Sequence, residues 1–121
     1  MIIAFGGALG TLIRYAMSTL NQRGILGSLP LGTLIVNVTG SFLIGLVWGL
    51  SERYAISPTL RLFLMVGVLG GYTTFSSFSL ETLTLVRNSQ YVMAMLNTVG
   101  AIVMGLAAVS VGYWLTTLEL P

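Results

Sequence analysis

Read for hydrophobic and polar positions alone, the chain is four long apolar runs separated by three short polar stretches. The runs cover about residues 2–20, 31–50, 61–81 and 91–118. Crossing a bilayer takes about 20 residues at ~1.5 Å of helical rise each, so every run is long enough to span. The stretches between them, "NQRGILGSLP", "SERYAISP" and "RNSQ", carry turn residues, and Ser57 followed by Pro58 suits the start of a third helix. The pattern predicts an all-α integral membrane protein, a single unit over residues 1–121 with four transmembrane helices. No basic residue precedes the first run, which makes it a poor signal peptide and a better retained span.

The third run departs from its own pattern at "GGYTTFSSF", Gly70 to Phe78. An interior glycine costs a helix about 1 kcal/mol relative to alanine. Opening the backbone in lipid costs several kcal/mol for each unsatisfied group, so a break survives only where it faces protein or a polar cavity. Exposed carbonyls at such a break form a site for a small cation. The alternative is an unbroken helix whose Ser and Thr hydroxyls bond back to their own turns. Two adjacent glycines followed by two threonines favour a broken third helix.

Charge changes the picture next. Charged residues make up 7% of the chain, where a soluble domain carries roughly a quarter. Lys, His, Asp and Cys are absent, leaving five arginines and three glutamates. No His, Asp, Lys or Cys is present to activate a hydroxyl for hydrolysis, so the sequence points to no catalytic residue and argues against an enzyme. A net charge of +2 is also too little for the basic stripe that nucleic acid demands. One membrane side would hold Arg53 and Arg61, the other Arg23 and Arg87, so the positive-inside rule has nothing to choose between. A chain without bias can insert both ways up, and the two orientations can then pair antiparallel. Weak bias is also common in small membrane proteins, and both readings stay open.

Four short helices enclose little interior, which places any aqueous path between subunits. Small residues at four-residue spacing suit helix contacts: Gly6 with Gly10, Ser41 with Gly45 and Gly49, Ala101 with Gly105. Phe75 and Phe78, at i and i+3, share a helix face. Two phenylalanines in a span are ordinarily packing. Here Ser76, Ser77 and Ser79 interleave with them, and ring edges, the positive part of the aromatic quadrupole, beside hydroxyl donors can hold a small anion. Asn37 in the second span is either interhelical glue or a further pair of donors. Arg14, inside the first span, either snorkels to the interface or marks the mouth of an anion path. Glu81 marks the aqueous end of the third span, as a vestibule residue or a helix-end anchor.

Three segments, "GALGTLIRY", "GTLIVNVTGSF" and "GGYTTFSSFSLE", resemble the signatures of the Fluc (CrcB) family of bacterial fluoride channels, in the family's order and over nearly the whole chain. The resemblance implies passive, fluoride-specific export across the bacterial cytoplasmic (inner) membrane, relieving fluoride toxicity. It implies a dual-topology antiparallel homodimer with two fluoride pathways and a structural sodium ion on its axis, not transported. Residue by residue, Gly70 and Thr73 would offer backbone carbonyls to sodium, and Phe75 and Phe78 match the aromatic pair lining the fluoride path. Asn37 matches the second-span donor, Ser76, Ser77 and Ser79 the polar track, and Arg14 and Glu81 the charged vestibule positions. The fourth span departs from the family's habit of pore-facing hydroxyls: its middle is Gly100, Ala101 and Gly105, with Asn97, Thr98 and Ser110 outside it.

The nearest rival reading is a small multidrug-type, proton-coupled exporter, also a four-span dimer. That mechanism needs a carboxylate deep in the membrane, where this first span carries Arg14 and no span has a central acid. A passive assembly subunit would explain the small-residue stripes and leave the third span unexplained.

Overall fold

The computed structural model describes residues 1–19 and 29–118, so most of the first connection, with Arg23, and Glu119 lie outside the described residues. In chain order come α1 (Ile2–Thr19), α2 (Leu31–Arg53), α3 (Pro58–Arg61), a π-wound stretch (Leu62–Leu69), α4 (Gly70–Tyr72), α5 (Phe75–Arg87) and α6 (Tyr91–Thr117). By length and apolarity, α1, α2, the third stretch Pro58–Arg87 and α6 each suffice to cross a membrane.

The helix ends follow local chemistry. Ser57 Oγ accepts the Leu60 amide at 3.2 Å, and Pro58 follows it at the first turn, where its missing N–H costs nothing. The last turn of α5 closes through Ser89, which has a positive φ of 59°, and the Gln90 amide reaches back to the Leu85 carbonyl at 2.8 Å. At the far end of α6, Arg53 Nη1 donates to the Thr116 carbonyl at 3.2 Å, a cation on the negative end of a helix.

Two glycine seams organise the packing. Along α2 and α6, a Cβ at Gly45 would collide with the Val109 carbonyl, and one at Gly112 with that of Phe42. Along α1 and the third span, a Cβ at Gly10 would collide with the Val68 carbonyl, and one at Gly71 would stand 2.6 Å from that of Gly7. Backbones approach this closely because the side chains are missing, and dispersion then holds the helices where lipid removes the hydrophobic advantage. Gly6, Gly10, Gly45 and Gly49 lie at such contacts as their spacing predicts. Gly105 does not: a Cβ there meets only Ser41 Oγ at an ordinary 3.6 Å, and the tight contact of α6 is at Gly112.

The buried apolar core among the described residues is small: Val36, Leu69, Tyr72, Leu85 and Ala94. Large apolar side chains such as Phe5, Leu12, Leu106 and Trp114 face outward, an arrangement suited to lipid. The π winding is rare, and the amide of Gly70 shows it by reaching the Met65 carbonyl five residues back.

Candidate functional site

Between α4 and α5 the backbone leaves helical geometry for two residues. Thr73 (φ −82°, ψ 156°) and Thr74 (φ −149°, ψ 120°) are extended. Gly70, at φ −63° and ψ −39°, remains helical. The glycines therefore do not unwind the chain themselves. Gly71 lets α1 approach, and the threonines make the step.

The backbone groups at the step find partners from other helices. In an α-helix the Thr74 amide would bond the Gly70 carbonyl. Here it donates to Asn37 Oδ1 at 2.8 Å, while Asn37 Nδ2 donates to the Thr74 carbonyl at 2.9 Å. The Gly71 carbonyl, which would take the amide of Phe75, accepts Arg14 Nε at 3.1 Å instead. Thr74 Oγ1 then caps α5 by accepting the Ser77 amide at 3.2 Å.

Helix α2 presents a polar and small stripe to this region. Thr33, Asn37 and Gly40 follow the i, i+4, i+7 spacing of one face. Thr33 Oγ1 donates to Glu81 Oε1 at 2.7 Å, Asn37 holds Thr74, and a Cβ at Gly40 would collide with Thr73 Cγ2. Beside them, Thr39 gives its only hydroxyl proton to the Ile35 carbonyl at 2.7 Å, which makes Tyr72 the donor in the 2.9 Å Thr39–Tyr72 bond. Thr33, Thr39, Gly40 and Tyr72 were not singled out from sequence. The i, i+4, i+7 stripe was the available signal.

Two hollows flank the step. One, of about 310 Å³, is lined by Asn37, Gly40, Ser41, Gly70, Thr73, Thr74 and Phe75 among others. The other, of about 160 Å³, brings Arg14 and Glu81 together with Ser18, Thr33, Thr74 and Ser77. Glu81 Oε2 is buried there and has no hydrogen-bond partner among the described residues.

The sequence-predicted residues thus divide between faces. Gly70, Thr73, Asn37 and Phe75 share the first hollow, and Arg14, Ser77 and Glu81 the second. Phe75 is 79% exposed, so its ring is free of contact along most of its surface. Its centroid lies 5.7 Å from that of Phe78, with the planes 42° apart. Ser76 and Ser79 are exposed and line neither hollow, and Ser79 gives its proton to the Phe75 carbonyl at 2.9 Å. Asn97, in the fourth span, is buried and donates to Thr82 Oγ1 at 2.9 Å, joining α6 to α5.

Four helices long and apolar enough to span, with large apolar side chains facing outward, define a multi-pass helical membrane protein. Residues 1–113 match the family described as CrcB-like protein, Camphor Resistance (CrcB), and the chain belongs to that family. Among its relatives is a protein of Parabacteroides distasonis, 48% identical over 92% of this chain and 87% of its own length. Another, from Methylobacterium radiotolerans, is 49% identical over 93% of this chain and 80% of its own. A third, from Thermus thermophilus, is 48% identical over 93% and 90%. Each bears the name fluoride-specific ion channel FluC.

Proposed function

We propose that the chain is a subunit of a fluoride-specific channel, through which fluoride leaves the cell passively down its gradient across the bacterial cytoplasmic membrane. The observation that carries this reading is membership of the family, with near-full-length relatives named as fluoride channels. The geometry is in keeping with it. Fluoride is small and strongly hydrated, so a conduit must replace its water with close donors while holding it weakly enough to let it leave. Ring edges of Phe75 and Phe78, the hydroxyls of Ser76 and Ser77 and the remaining amide hydrogen of Asn37 are donors of that kind, and Ser79 would join them by releasing its bond to the Phe75 carbonyl. Arg14 and Glu81 would flank the path as vestibule charges.

The working unit in this reading is a homodimer with one chain in each orientation. The third span is broken at Thr73–Thr74, and a structural sodium ion is held by main-chain oxygens of Gly70 and Thr73 from both chains. The donor chemistry fits: the Thr74 amide that would occupy the Gly70 carbonyl in a continuous helix is engaged by Asn37, and hard oxygens suit a hard cation. In this reading the ligands are main-chain carbonyls, not acidic or sulfur side chains.

The test is fluoride efflux from liposomes that contain only the purified chain, with sodium present. Efflux well above that from empty vesicles is expected. Equal rates would overturn the reading.

A further inference from the structure

We infer that Asn37 is a positioning residue: it aims the Thr73 carbonyl by clamping the backbone of Thr74. An extended residue in a membrane span needs what a neighbouring strand would give it, one acceptor for its N–H and one donor for its C=O. The Asn37 amide supplies both, at 2.8 and 2.9 Å. It is a peptide group carried on a side chain, standing in for a β-strand one residue long.

The consequence lies one atom further along. The Thr74 nitrogen and the Thr73 carbonyl belong to the same peptide plane, and in a trans peptide N–H and C=O point in opposite directions. No cis peptide occurs among the described residues. Fixing the Thr74 N–H toward Asn37 on α2 therefore turns the Thr73 oxygen away from α2. Free rotation of that peptide would scatter the oxygen; the clamp holds it to one side. Gly40 supports the arrangement from the next turn, where any Cβ would displace the Thr73 methyl.

The reciprocal pair uses the Oδ1 of Asn37 and one of its two amide hydrogens, while Ser41 Oγ bonds only the main-chain carbonyl of Asn37, at 2.7 Å. One N–H is left for any ion, so the larger part of the side chain's bonding capacity serves the backbone.

The inference rests on the sodium-bearing channel proposed above, and its test separates the two. Amide hydrogen exchange in lipid, with no flux involved, reads the clamp. In the wild-type chain the Thr74 amide is protected. In Asn37→Ala its exchange rises about tenfold or more, the scale of one or two net hydrogen bonds. Asn37→Asp keeps the acceptor for the Thr74 amide but sets an oxygen against the Thr74 carbonyl, so its Thr74 protection falls between wild type and Asn37→Ala. Flux then reads the aim. Asn37→Ala raises the sodium concentration for half-maximal fluoride efflux about tenfold, with a smaller change in fluoride half-saturation. Unchanged Thr74 exchange in Asn37→Ala would overturn the clamp, as would equal loss in the Ala and Asp variants. A weakened fluoride half-saturation with an unmoved sodium midpoint would make Asn37 a direct ligand and overturn its positioning role. If the wild-type chain itself passes no fluoride, the function proposed above fails, and exchange still decides the clamp.

Discussion

The α2–α6 seam and the third span solve opposite problems in the same solvent. Helices α2 and α6 run unbroken, and their backbones press together at Gly45 and Gly112. The third span passes through α3, the π-wound stretch and α4, two extended threonines and then α5. Some of its backbone groups bond outside their own helix, to Asn37 and Arg14. The difference shows what a polar backbone needs within a membrane. A helix can satisfy itself and spend its small residues on proximity, whereas a step out of helix geometry is stable only where neighbouring helices supply the missing donors and acceptors.

The comparison breaks most visibly at the rings beside the step. Under the proposed channel, Phe75→Ile or Phe78→Ile cuts fluoride efflux by at least about tenfold, the loss of roughly 1.4 kcal/mol of ion stabilisation, while the chain keeps its assembly in detergent. Well-folded variants of both with full flux would remove the rings from the path. The seam should fail differently. Gly112→Leu forces a side chain into the Phe42 carbonyl and should lower stability by about 1–3 kcal/mol or more, read as aggregation on heating in detergent. An unchanged melting profile would mean that α2 and α6 are not in this contact.

Adjacent glycines sharpen the contrast at smaller scale. A Cβ at Gly71 would crowd the Gly7 carbonyl at 2.6 Å, whereas one at Gly70 finds its nearest neighbour, the Met65 carbonyl, at 3.6 Å. Gly71→Ala is therefore expected to destabilise by about 1–3 kcal/mol. Gly70→Ala should be tolerated by the isolated fold within about 0.5 kcal/mol. Equal thermal shifts would contradict the α1 packing. Arg14→Met leaves the Gly71 carbonyl without its donor and should cost about 1–2 kcal/mol; Arg14→Lys, lacking Nε, should not fully restore it.

The mildest intervention concerns orientation. The sequence has no cysteine, so Asn88→Cys, in the exposed turn after α5, is a clean probe. Under dual topology, an impermeant thiol reagent outside sealed cells labels about half the chains, the even split expected without charge bias. Labelling of nearly all or none would mean one orientation.

The four spans were legible because membrane thickness demands a length of apolar sequence that nothing else in the chain mimics. The start of the third at Ser57–Pro58 was legible because capping is local. The glycines and threonines of "GGYTTFSSF" pointed to the stretch where the chain leaves helix geometry, but not to the division of labour within it. Gly70 stays helical and Thr73–Thr74 are extended, because the deciding partner, Asn37, lies on another helix and no spacing rule connects 37 to 74. The π winding of "LFLMVGVL" was invisible for a related reason: its residues would suit any apolar helix, and the stretch packs against the glycine face of α1. Arg14 was left between interface and ion path; its bond to the Gly71 carbonyl adds a backbone role that sequence did not offer.

The scarcity of buried apolar side chains has a thermal consequence. Separating these helices within a bilayer would exchange protein contact for lipid contact and bring little apolar surface into water. The heat-capacity increment that bends the stability curve of a soluble domain arises from that hydration. With it largely absent, the free energy of helix association should vary almost linearly with temperature, without the low-temperature downturn that the hydrophobic effect imposes on soluble proteins. Cooling should tighten this assembly steadily, leaving the physical state of the lipid to set the lower limit.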